Sequence, residues 1–436
     1  MSGDRQSAVV HRTARIGVRC SRAQADRLYG LLRDAGDVWA ALVDLNRDRQ
    51  QRQAPPEVNF QALCRQLTGV AVGGLSRHCA EQVLRRYTDA WHETARRKRR
   101  GEDARYPRRK RRLVPVRWRH GGFSVAGDGR RVRLAVARGQ ERLDVRLARP
   151  IPYPAAAVRS VTLVHDEGRL WLDVTAAVPV ADHGLDPDRV AGVDIGLIHP
   201  YAVAGPDAQG LLVSGRALRG EARLHLEDTK RRSTKTAGRA PPPGATASRR
   251  WRQHRSAQRN AEHRHRRRVR QAHHEAAGAV IAWAVQQRVG TIRVGDLATI
   301  LDAPAGPAQR WRTREWRHGH LLDVLRDKAA AAGIAVEIVD ERGTSSTCPQ
   351  CGARHKANGR RFICGTCGLS GHRDLVGAAN IARRTSGGAP GADRPQPADT
   401  TTGLPMVVKH RRAGTHLPGR GSARRDRRRH LWDNRR

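Results

Sequence analysis

The chain has 436 residues, of which 83 are Lys or Arg and 41 are Asp or Glu, so its formal net charge is +42. An excess of this size favours a polyanionic partner, above all nucleic acid. No run of 18 or more apolar residues occurs and the first residues lack a signal-peptide core, so we expect no membrane partner. These features predict a cytoplasmic, nucleoid-associated bacterial protein of two to four domains.

Residues 1–112 have the apolar spacing of helices. A long helix is predicted after Ser21, a candidate N-cap, and two more follow within QALCRQLTG and HCAEQVLRRYTDAWHETARRKRR. The last of these ends in a basic run, and a second run, PRRKRR, occupies residues 107–112. We predict phosphate contacts from four residues of these runs: Arg97, Lys98, Arg109 and Lys110.

Residues 113–180 alternate apolar residues with arginine or other polar residues, which is the period of β-strands. The segments AGDGR and HDEGR have the composition of hairpin turns. The pattern predicts a small antiparallel barrel with one basic face. Trp118 is a candidate for stacking on bases, as are Trp311 and Trp316, which are favoured because they flank arginines; Trp171 and Trp283 lie in apolar-periodic segments and are expected in the core.

Residues 189–385 combine buried strands with helices. Strands are predicted at RVAGVDIGL, TIRVGDL and IAVEIVDE, a hairpin at YAVAGPDAQGLLVSG, and helices around HLLDVLRDKAAAAG and GAANIA. The remaining 386–436 are rich in Gly, Pro and Arg and poor in apolar residues, which predicts a disordered basic tail.

A helical arm within this region is strongly basic. Eight arginines fall between residues 251 and 270, and Glu262 is the one acid among them. A solvated helix usually mixes charge signs, so this arm is predicted to follow the phosphates of a nucleic acid. The arginines chosen for this role are Arg252, Arg255, Arg259, Arg266, Arg267 and Arg270.

Four cysteines are arranged as two C-x2-C pairs that are twelve residues apart. They are Cys348, Cys351, Cys364 and Cys367. Two residues within each pair let both thiolates face one ion, and two pairs complete a tetrahedral shell, so a closed structural zinc site is predicted. The other three cysteines have no pairing pattern and are expected to be reduced thiols.

Carboxylates stand at the ends of predicted elements near this zinc site. Asp194 ends the strand in GVDIG, and Asp374 opens the small-residue helix that follows the last cysteine. In open α/β folds, ligands bind at the carboxyl ends of strands. Mg²⁺ or Mn²⁺ held between such carboxylates promotes phosphodiester hydrolysis, and the charge of the chain points to that substrate.

These motifs, in this order, resemble the transposon-encoded TnpB family and its relatives, the miniature type V CRISPR effectors. The resemblance covers residues 190–385, through GVDIG, the basic arm, IRVGDLATI, TSSTCPQCG, CGTCG and GHRDLVGAANIA. It implies an RNA-guided nuclease whose RuvC-like, RNase H-like α/β domain (189–343 and 374–385) carries an inserted zinc ribbon (344–373). It also implies a helical recognition lobe, with a possible barrel strand near the N-terminus, and a wedge barrel. Asp194 matches the first catalytic Asp of the family, and Asp374 matches the third.

The second catalytic acid departs from the family pattern. The usual Glu before Asp-Leu is replaced by Gly295, which cannot bind metal. Asp296 is one substitute, although its alternate parity on the strand directs it away from position 295. Glu341 is the favoured substitute, because it ends the next strand, which is expected to pair beside the first. Glu337 shares its parity but lies a full pleat deeper. Without a substitute the protein would bind DNA without cutting it.

The resemblance therefore predicts a metal-dependent endonuclease with a noncoding guide RNA, acting on double-stranded and single-stranded target DNA. Asp194, Glu341 and Asp374 would hold Mg²⁺ or Mn²⁺, and zinc would be structural. The competing functions are an inactive RNA-guided binder or repressor and a zinc-ribbon DNA-binding protein that uses no guide. Such proteins are also called transposases, but the sequence shows neither a tyrosine motif nor an extra acidic motif for strand joining.

Overall fold

A computed structural model of the chain describes residues 9–109, 112–296, 317–355, 359–384 and 406–410. The chain divides into two compact units, Met1–Pro179 and Val180–Arg436. The mixed, multidomain α/β architecture expected from the sequence is confirmed. No helix among the described residues is long and apolar enough to cross a membrane.

The first unit contains three helices that begin at capping side chains. The helices are α1 (Arg22–Gln51), α2 (Phe60–Gln66) and α3 (Arg77–Arg99). Ser21 accepts a hydrogen bond from the Gln24 amide while the Gln24 side chain accepts one from the Ser21 amide. This reciprocal capping box confirms Ser21 as the predicted N-cap.

Seven antiparallel strands form a barrel-like sheet in the first unit. They are β1 (Val9–Arg19), β2 (Val116–Arg119), β3 (Phe123–Val125), β4 (Arg131–Leu134), β5 (Leu143–Leu147), β6 (Val158–Asp166) and β7 (Arg169–Pro179). Their order is β2-β6-β7-β1-β5-β4-β3, so a strand from the N-terminus joins two groups of later strands. The HDEGR turn between β6 and β7 places Glu167 and Gly168 at φ 55° and 73°, the geometry of a tight two-residue hairpin.

Trp118 lies inside this sheet, and its predicted role in base stacking is wrong. Its side chain is fully buried, and its Nε1 donates a hydrogen bond to the Ala135 carbonyl oxygen at 2.7 Å. The alternation along β2 directs Trp118 toward the core together with Val116. The ring therefore stabilises the core and is not available to a base. Trp311 and Trp316 lie outside the described residues.

The second unit is built on a six-stranded sheet. Its strands are β8 (Asp186–Asp194), β9 (Tyr201–Ala204), β10 (Gln209–Val213), β11 (Val289–Asp296), β12 (Ala335–Asp340) and β15 (Met406–His410). The order is β12-β11-β8-β9-β10-β15. Strands β12, β11 and β8 run parallel, whereas β9 is antiparallel to both of its neighbours.

Three helices cover the two faces of this sheet: α5 (Arg249–Gln286), α6 (His318–Ala331) and α7 (Arg373–Arg383). A fourth, α4 (Arg216–Ala237), packs on α5. Residues of α5 and α6 form one core with Ala191 and Val193 of β8. The alternate residues Gly192 and Asp194 face α7 instead. The two-residue period of β8 thus separates an apolar face from the face that carries the acids.

Strand β15 differs from the prediction for the tail. Residues 406–410 lie in the segment expected to be disordered, yet their backbone pairs in parallel with β10. The sequence MVVKH contains two adjacent valines, and β-branched residues favour strand formation. The rest of the tail lies outside the described residues.

Candidate active site and metal centres

The three predicted acids lie at the ends of two strands and at the start of one helix in the second unit. Asp194 is the last residue of β8, Glu341 directly follows β12, and Asp374 is the second residue of α7. Strand β11 lies between β8 and β12, and all three are parallel. The carboxyl ends of β8 and β12 therefore meet at one edge of the sheet, with β11 between them.

Gly295 of β11 leaves the space that Glu341 occupies. A Cβ atom added at position 295 would lie 2.5 Å from Glu341 Oε2 and 2.9 Å from Glu341 Cβ. Glu341 thus lies against position 295, where the resemblance to the TnpB family predicts the second catalytic Glu. Asp296 is exposed and has the parity of Val294, which packs in the core on the α5–α6 side.

Small residues let α7 approach the sheet closely. A Cβ added at Gly192 would lie 2.0 Å from the Ala378 carbonyl oxygen, and one added at Gly377 would lie 3.0 Å from Asp194 Oδ2. The glycine in β8 therefore permits direct backbone contact with α7. The glycine in α7 leaves room for the Asp194 carboxylate, which is how the first turns of α7 come to lie beside Asp194.

The electrostatics of the acids show that they interact. Burial and the negative charge of Asp374 raise the pKa of Asp194 to about 7, although Arg373 opposes the shift. Burial raises the pKa of Glu341 to about 7, with further contributions from the negative charges of Asp194, Asp296 and Asp340. Carboxylates that repel each other in this way bind cations or share protons.

Asp374 lies beside two histidines and near an arginine. Its Oδ2 lies 2.9 Å from His199 Nδ1 and 4.0 Å from His372 Nδ1. Burial tends to raise the pKa of Asp374, but the His199 hydrogen bond and the charges of His372, His199 and Arg360 outweigh it and lower the pKa. Asp374 is therefore the acid among the three that most readily ionises.

The sequence prediction did not include either histidine. His372 stands two residues before Asp374 in GHRD, so its proximity was a readable signal. His199 lies in the turn between β8 and β9, five residues after Asp194, and nothing in its spacing predicts the contact. Together with Asp374, these histidines offer ligand atoms that all lie within 4.8 Å of one another. Among the described residues, that criterion is met by this group and by the four cysteines.

A buried amide connects α7 to the loop after Glu341. Asn380 Nδ2 donates hydrogen bonds to the carbonyl oxygens of Thr344 at 2.7 Å and Thr347 at 2.8 Å. Thr344 in turn donates from its Oγ1 to the Glu341 carbonyl oxygen at 2.8 Å. These bonds fix the start of the cysteine segment against the helix that carries Asp374.

The four predicted zinc ligands converge. Cys348 Sγ lies 3.6 Å from Cys367 Sγ, and Cys351 Sγ lies 3.4 Å from Cys364 Sγ. Four sulfurs around zinc, with bonds of about 2.3 Å, would lie roughly 3.8 Å apart. All four are free thiols, so the donor set and its spacing fit a tetrahedral zinc ion.

The local fold explains why the cysteines converge. Each pair is followed by a glycine at φ 75°, Gly352 and Gly368, which turns the chain after the second cysteine. The short strands β13 (Arg361–Ile363) and β14 (Ser370–His372) flank the second pair. Phe362 is fully buried and packs with Cys348 and Cys364. Strand β14 leads directly into α7, so the cysteine site is coupled to Asp374.

The predicted nucleic-acid contacts on α5 differ in exposure. Arg252, Arg255, Arg259 and Arg266 are exposed, whereas Arg267 and Arg270 are half-buried. Helix α4 packs beside α5 and supplies an acid that the sequence pattern of α5 did not include: Glu221, which pairs with Arg268 at 3.2 Å. The roles of the α5 arginines in binding stay predictions.

The predicted contacts in the first unit already have partners within the chain. Arg97 pairs with Glu102 at 2.7 Å, the Lys98 ammonium lies 5.0 Å from the centre of the Tyr106 ring, and Arg109 pairs with Asp44. Exposed pairs of this kind contribute little to stability, so phosphate can compete for them. Lys110 lies outside the described residues.

Three comparisons relate the chain to known proteins. Residues 318–381 match the family model of the Cas12f1-like TNB domain. A TnpB-like protein of Methanocaldococcus jannaschii is 30% identical over 125 residues, which are 28% of this chain and 45% of that protein. The CRISPR-associated endodeoxyribonuclease Cas12f1 of Sulfoacidibacillus thermotolerans is 31% identical over 112 residues, 25% of each chain. The chain thus spans less than half the length of either relative.

The fold is also similar to a solved structure. A chain in the cryo-EM structure of a Cas12f1–sgRNA–target DNA complex superposes with a TM-score of 0.60 and 13% identity, covering 86% of this chain and 99% of that chain. At this identity the likeness concerns the fold alone. The sequence matches and the fold together confirm that the chain is related to the TnpB family and the miniature type V effectors.

Proposed function

We propose that this protein is an RNA-guided DNA endonuclease that hydrolyses phosphodiester bonds with divalent metal. The observation that carries the proposal is the placement of Glu341 against Gly295 of β11, the strand that pairs with the one ending in Asp194. A lost acid with no substitute would favour an inactive binder. Here a carboxylate lies beside the vacant position, and burial, followed by the negative charges of Asp194, Asp296 and Asp340, raises its pKa.

The residues fit a cation of the Mg²⁺ or Mn²⁺ class. Asp194, Glu341 and Asp374 provide oxygen ligands, which these ions prefer. When bound, such an ion stabilises the attacking and leaving oxygens of phosphodiester hydrolysis. Asp194 would contribute from the sheet, Glu341 from the loop after β12, and Asp374 from α7. His199 would hold Asp374 in position through their 2.9 Å contact.

The other parts of the chain have proposed supporting roles. Residues 1–112 would form the recognition lobe, and residues 113–180 the wedge barrel that reads a short duplex motif beside the target. The nuclease domain would comprise 189–343 and 374–385, with a zinc ribbon at 344–373 and a basic tail at 386–436. The six arginines predicted as contacts on α5 support guide RNA or heteroduplex binding, because four of the six are open to solvent.

Plasmid cleavage tests the proposal directly. The full chain would be purified with its co-purified RNA, supplied with Mg²⁺ or Mn²⁺, and compared with Asp194→Ala and Glu341→Ala. We expect target cleavage by the wild type and a loss of at least about a hundredfold in each variant. A wild-type protein that binds target without nicking it would instead be a guided binder or repressor. Normal cleavage by Glu341→Ala would reject the role of Glu341 alone.

A further inference from the structure

Two imidazole rings lie next to the third acid of the candidate active site. The ring centres of His199 and His372 are 4.9 Å apart and the rings are nearly perpendicular, at 80°. Together with Asp374, they offer three ligand atoms within 4.8 Å of one another. Ligands around a tetrahedral metal, with bonds of about 2.0–2.1 Å, lie somewhat over 3 Å apart, so only a modest closure is needed.

Backbone and side-chain contacts hold both rings in place. His372 ends β14, and its Nδ1 accepts a hydrogen bond from the Asp374 amide at 3.2 Å. The His199 carbonyl oxygen accepts one from the Gly196 amide at 3.0 Å, which closes the turn after β8. Arg219 fixes the adjacent residue by donating to the Ile198 carbonyl oxygen at 2.7 Å. These contacts fix the segments that carry the rings, and a metal that took an Nδ1 atom as its ligand would replace the hydrogen bond at that atom.

The three side chains are accessible to solvent but not fully exposed. Their exposed fractions are 16% for His199 and 24% for Asp374, and 25% for His372. Arg360 and Arg373 lie near enough to act on the acids and oppose a cation, whereas the Asp194 carboxylate favours one. Three protein ligands with solvent access leave further coordination positions open, as catalytic metal sites do.

The donor set determines which metals the site prefers. Imidazole suits zinc, nickel, iron and similar transition metals, whereas Mg²⁺ prefers oxygen ligands. We propose that His199, His372 and Asp374 bind a divalent transition metal, with the Asp374 carboxylate shared between this ion and the Mg²⁺ or Mn²⁺ of the proposed active site. A role of this metal in cleavage rests on the proposed function. Binding of the metal does not, because it is measured without any nucleic acid.

The test is a Co²⁺ titration of the full-length protein whose cysteine site already holds one zinc equivalent. Zinc in the cysteine site keeps Co²⁺ away from the thiolates, so visible d–d bands without thiolate charge-transfer bands report binding by nitrogen and oxygen ligands. We expect one further Co²⁺ equivalent per chain, which a large excess of Mg²⁺ does not displace.

Two substitutions remove the imidazoles while preserving local structure. His199→Gln keeps a polar partner for Asp374, and His372→Asn keeps a side chain that caps α7 well. Each should weaken Co²⁺ binding by at least about tenfold. His254→Gln, on α5, is the matched control and should bind Co²⁺ as the wild type does. Unchanged circular dichroism and zinc content would show that each variant is folded.

Each outcome decides the matter. Loss of binding in both site variants, with retention in His254→Gln, supports the proposal. Equal binding in all four proteins, or no Co²⁺ bound beyond the zinc equivalent, overturns it. If Co²⁺ binds through these histidines but the guided protein never cleaves target with Mn²⁺, the proposed function fails and the metal site stands. Cleavage by a wild type that takes up no further Co²⁺ would reject the metal site alone.

Discussion

At the residue scale, the space beside Gly295 and the side chain of Glu341 depend on each other. Any side chain at position 295 would begin 2.5 Å from Glu341 Oε2, closer than a real Cβ atom lies to a neighbour. A side chain at position 295 would therefore require Glu341 to move from its present position. Because the two side chains compete for this space, exchanging the two residues tests which position supplies the second acid.

We predict that moving the acid back to β11 restores function. Glu341→Gln should lower guided cleavage by at least about a hundredfold, because it removes a charged ligand from the site. Gly295→Glu combined with Glu341→Gly should recover a measurable part of that loss, since the new carboxylate starts from the vacated space. Initial cleavage rates on a target plasmid with Mg²⁺ measure both effects.

Glu337 provides the matched control for this exchange. It lies on β12 and pairs with Arg293 at 2.9 Å. Glu337→Gln should leave the cleavage rate within about twofold of the wild type, because surface changes away from a site have small effects. If Gly295→Glu alone cleaved as well as the wild type, the two positions would not compete for the same space.

The raised pKa of Asp194, about 7, predicts how pH affects the metal-free protein. The folded state binds a proton at Asp194 more tightly than the unfolded state, so stability falls as pH rises from about 4 to 7. Asp194→Asn removes the charge and should stabilise the magnesium-free protein at pH 8 by on the order of 2–4 kcal/mol.

Urea unfolding of zinc-loaded protein at pH 5 and pH 8 measures this effect of Asp194→Asn. The stabilisation should shrink at pH 5, where the wild-type carboxyl is already protonated. Added Mn²⁺ should stabilise the wild type more than the variant, since ions that bind the folded state stabilise it. An equal effect of the substitution at both pH values would show that Asp194 titrates in its ordinary range.

The acids could be predicted from the sequence because each ends a strand or begins a helix. The position of a residue within a strand predicts which face its side chain lies on and which edge of the sheet it is near, and these two properties favour Glu341 over Asp296 from the sequence alone. His199 could not be found in this way, because a turn residue has no periodic pattern to constrain it. Its contact with Asp374 depends on how α7 packs on the sheet, which only the three-dimensional structure reveals.

At the element scale, the contact between β8 and α7 decides whether the site assembles. Gly192 allows the backbone of α7 to lie directly on the strand, where an added Cβ would be 2.0 Å from the Ala378 carbonyl oxygen. The sequence predicted both elements but not this approach. A glycine in a strand can mark a bulge, a bend or close packing, and sequence alone does not distinguish them.

We predict that Gly192→Ala separates the two elements. Overpacking of this kind costs roughly 1–3 kcal/mol, and the shift of α7 should also reduce cleavage by moving Asp374. Gly278→Ala is the matched control, because a Cβ there meets only Lys328 Nζ at 3.9 Å. That change should stabilise α5 by about 0.5–1 kcal/mol. Urea unfolding measures both, and a neutral Gly192→Ala would contradict the close contact.

The cysteine segment connects the predicted zinc site to α7. Cys364→Ser should abolish zinc retention, lower the melting temperature and weaken cleavage, because β14 and the start of α7 lose their anchor. Elemental analysis and thermal unfolding measure the first two effects. Cys20→Ser, at an exposed thiol of the first unit, should change neither. Full zinc content in Cys364→Ser would reject the four-cysteine site.

At the scale of the whole molecule, the net charge of +42 does not act equally at every arginine, because some arginines pair with carboxylates. Many exposed arginines of the described residues contact carboxylates: Arg77 with Glu81, Arg133 with Asp144 and Arg231 with Asp228. The high charge predicted a polyanionic partner, but sequence alone did not show which arginines are already partly neutralised. That depends on carboxylates brought close by strand and helix packing.

Arg252, Arg255 and Arg259 of α5 should therefore contribute more to nucleic-acid binding than arginines that pair with carboxylates, such as Arg266 with Glu262. Each phosphate contact adds about 0.7–0.9 to the slope of log affinity against log salt. The triple variant Arg252→Gln, Arg255→Gln, Arg259→Gln should make that slope shallower by about 2–3 for guide RNA, measured by filter binding at several salt concentrations. The matched triple variant of Arg77, Arg133 and Arg231 to Gln removes the same charge from carboxylate-paired sites and should change the slope by less than about 1. Equal changes in both would mean that the protein attracts RNA through its overall field and not through α5.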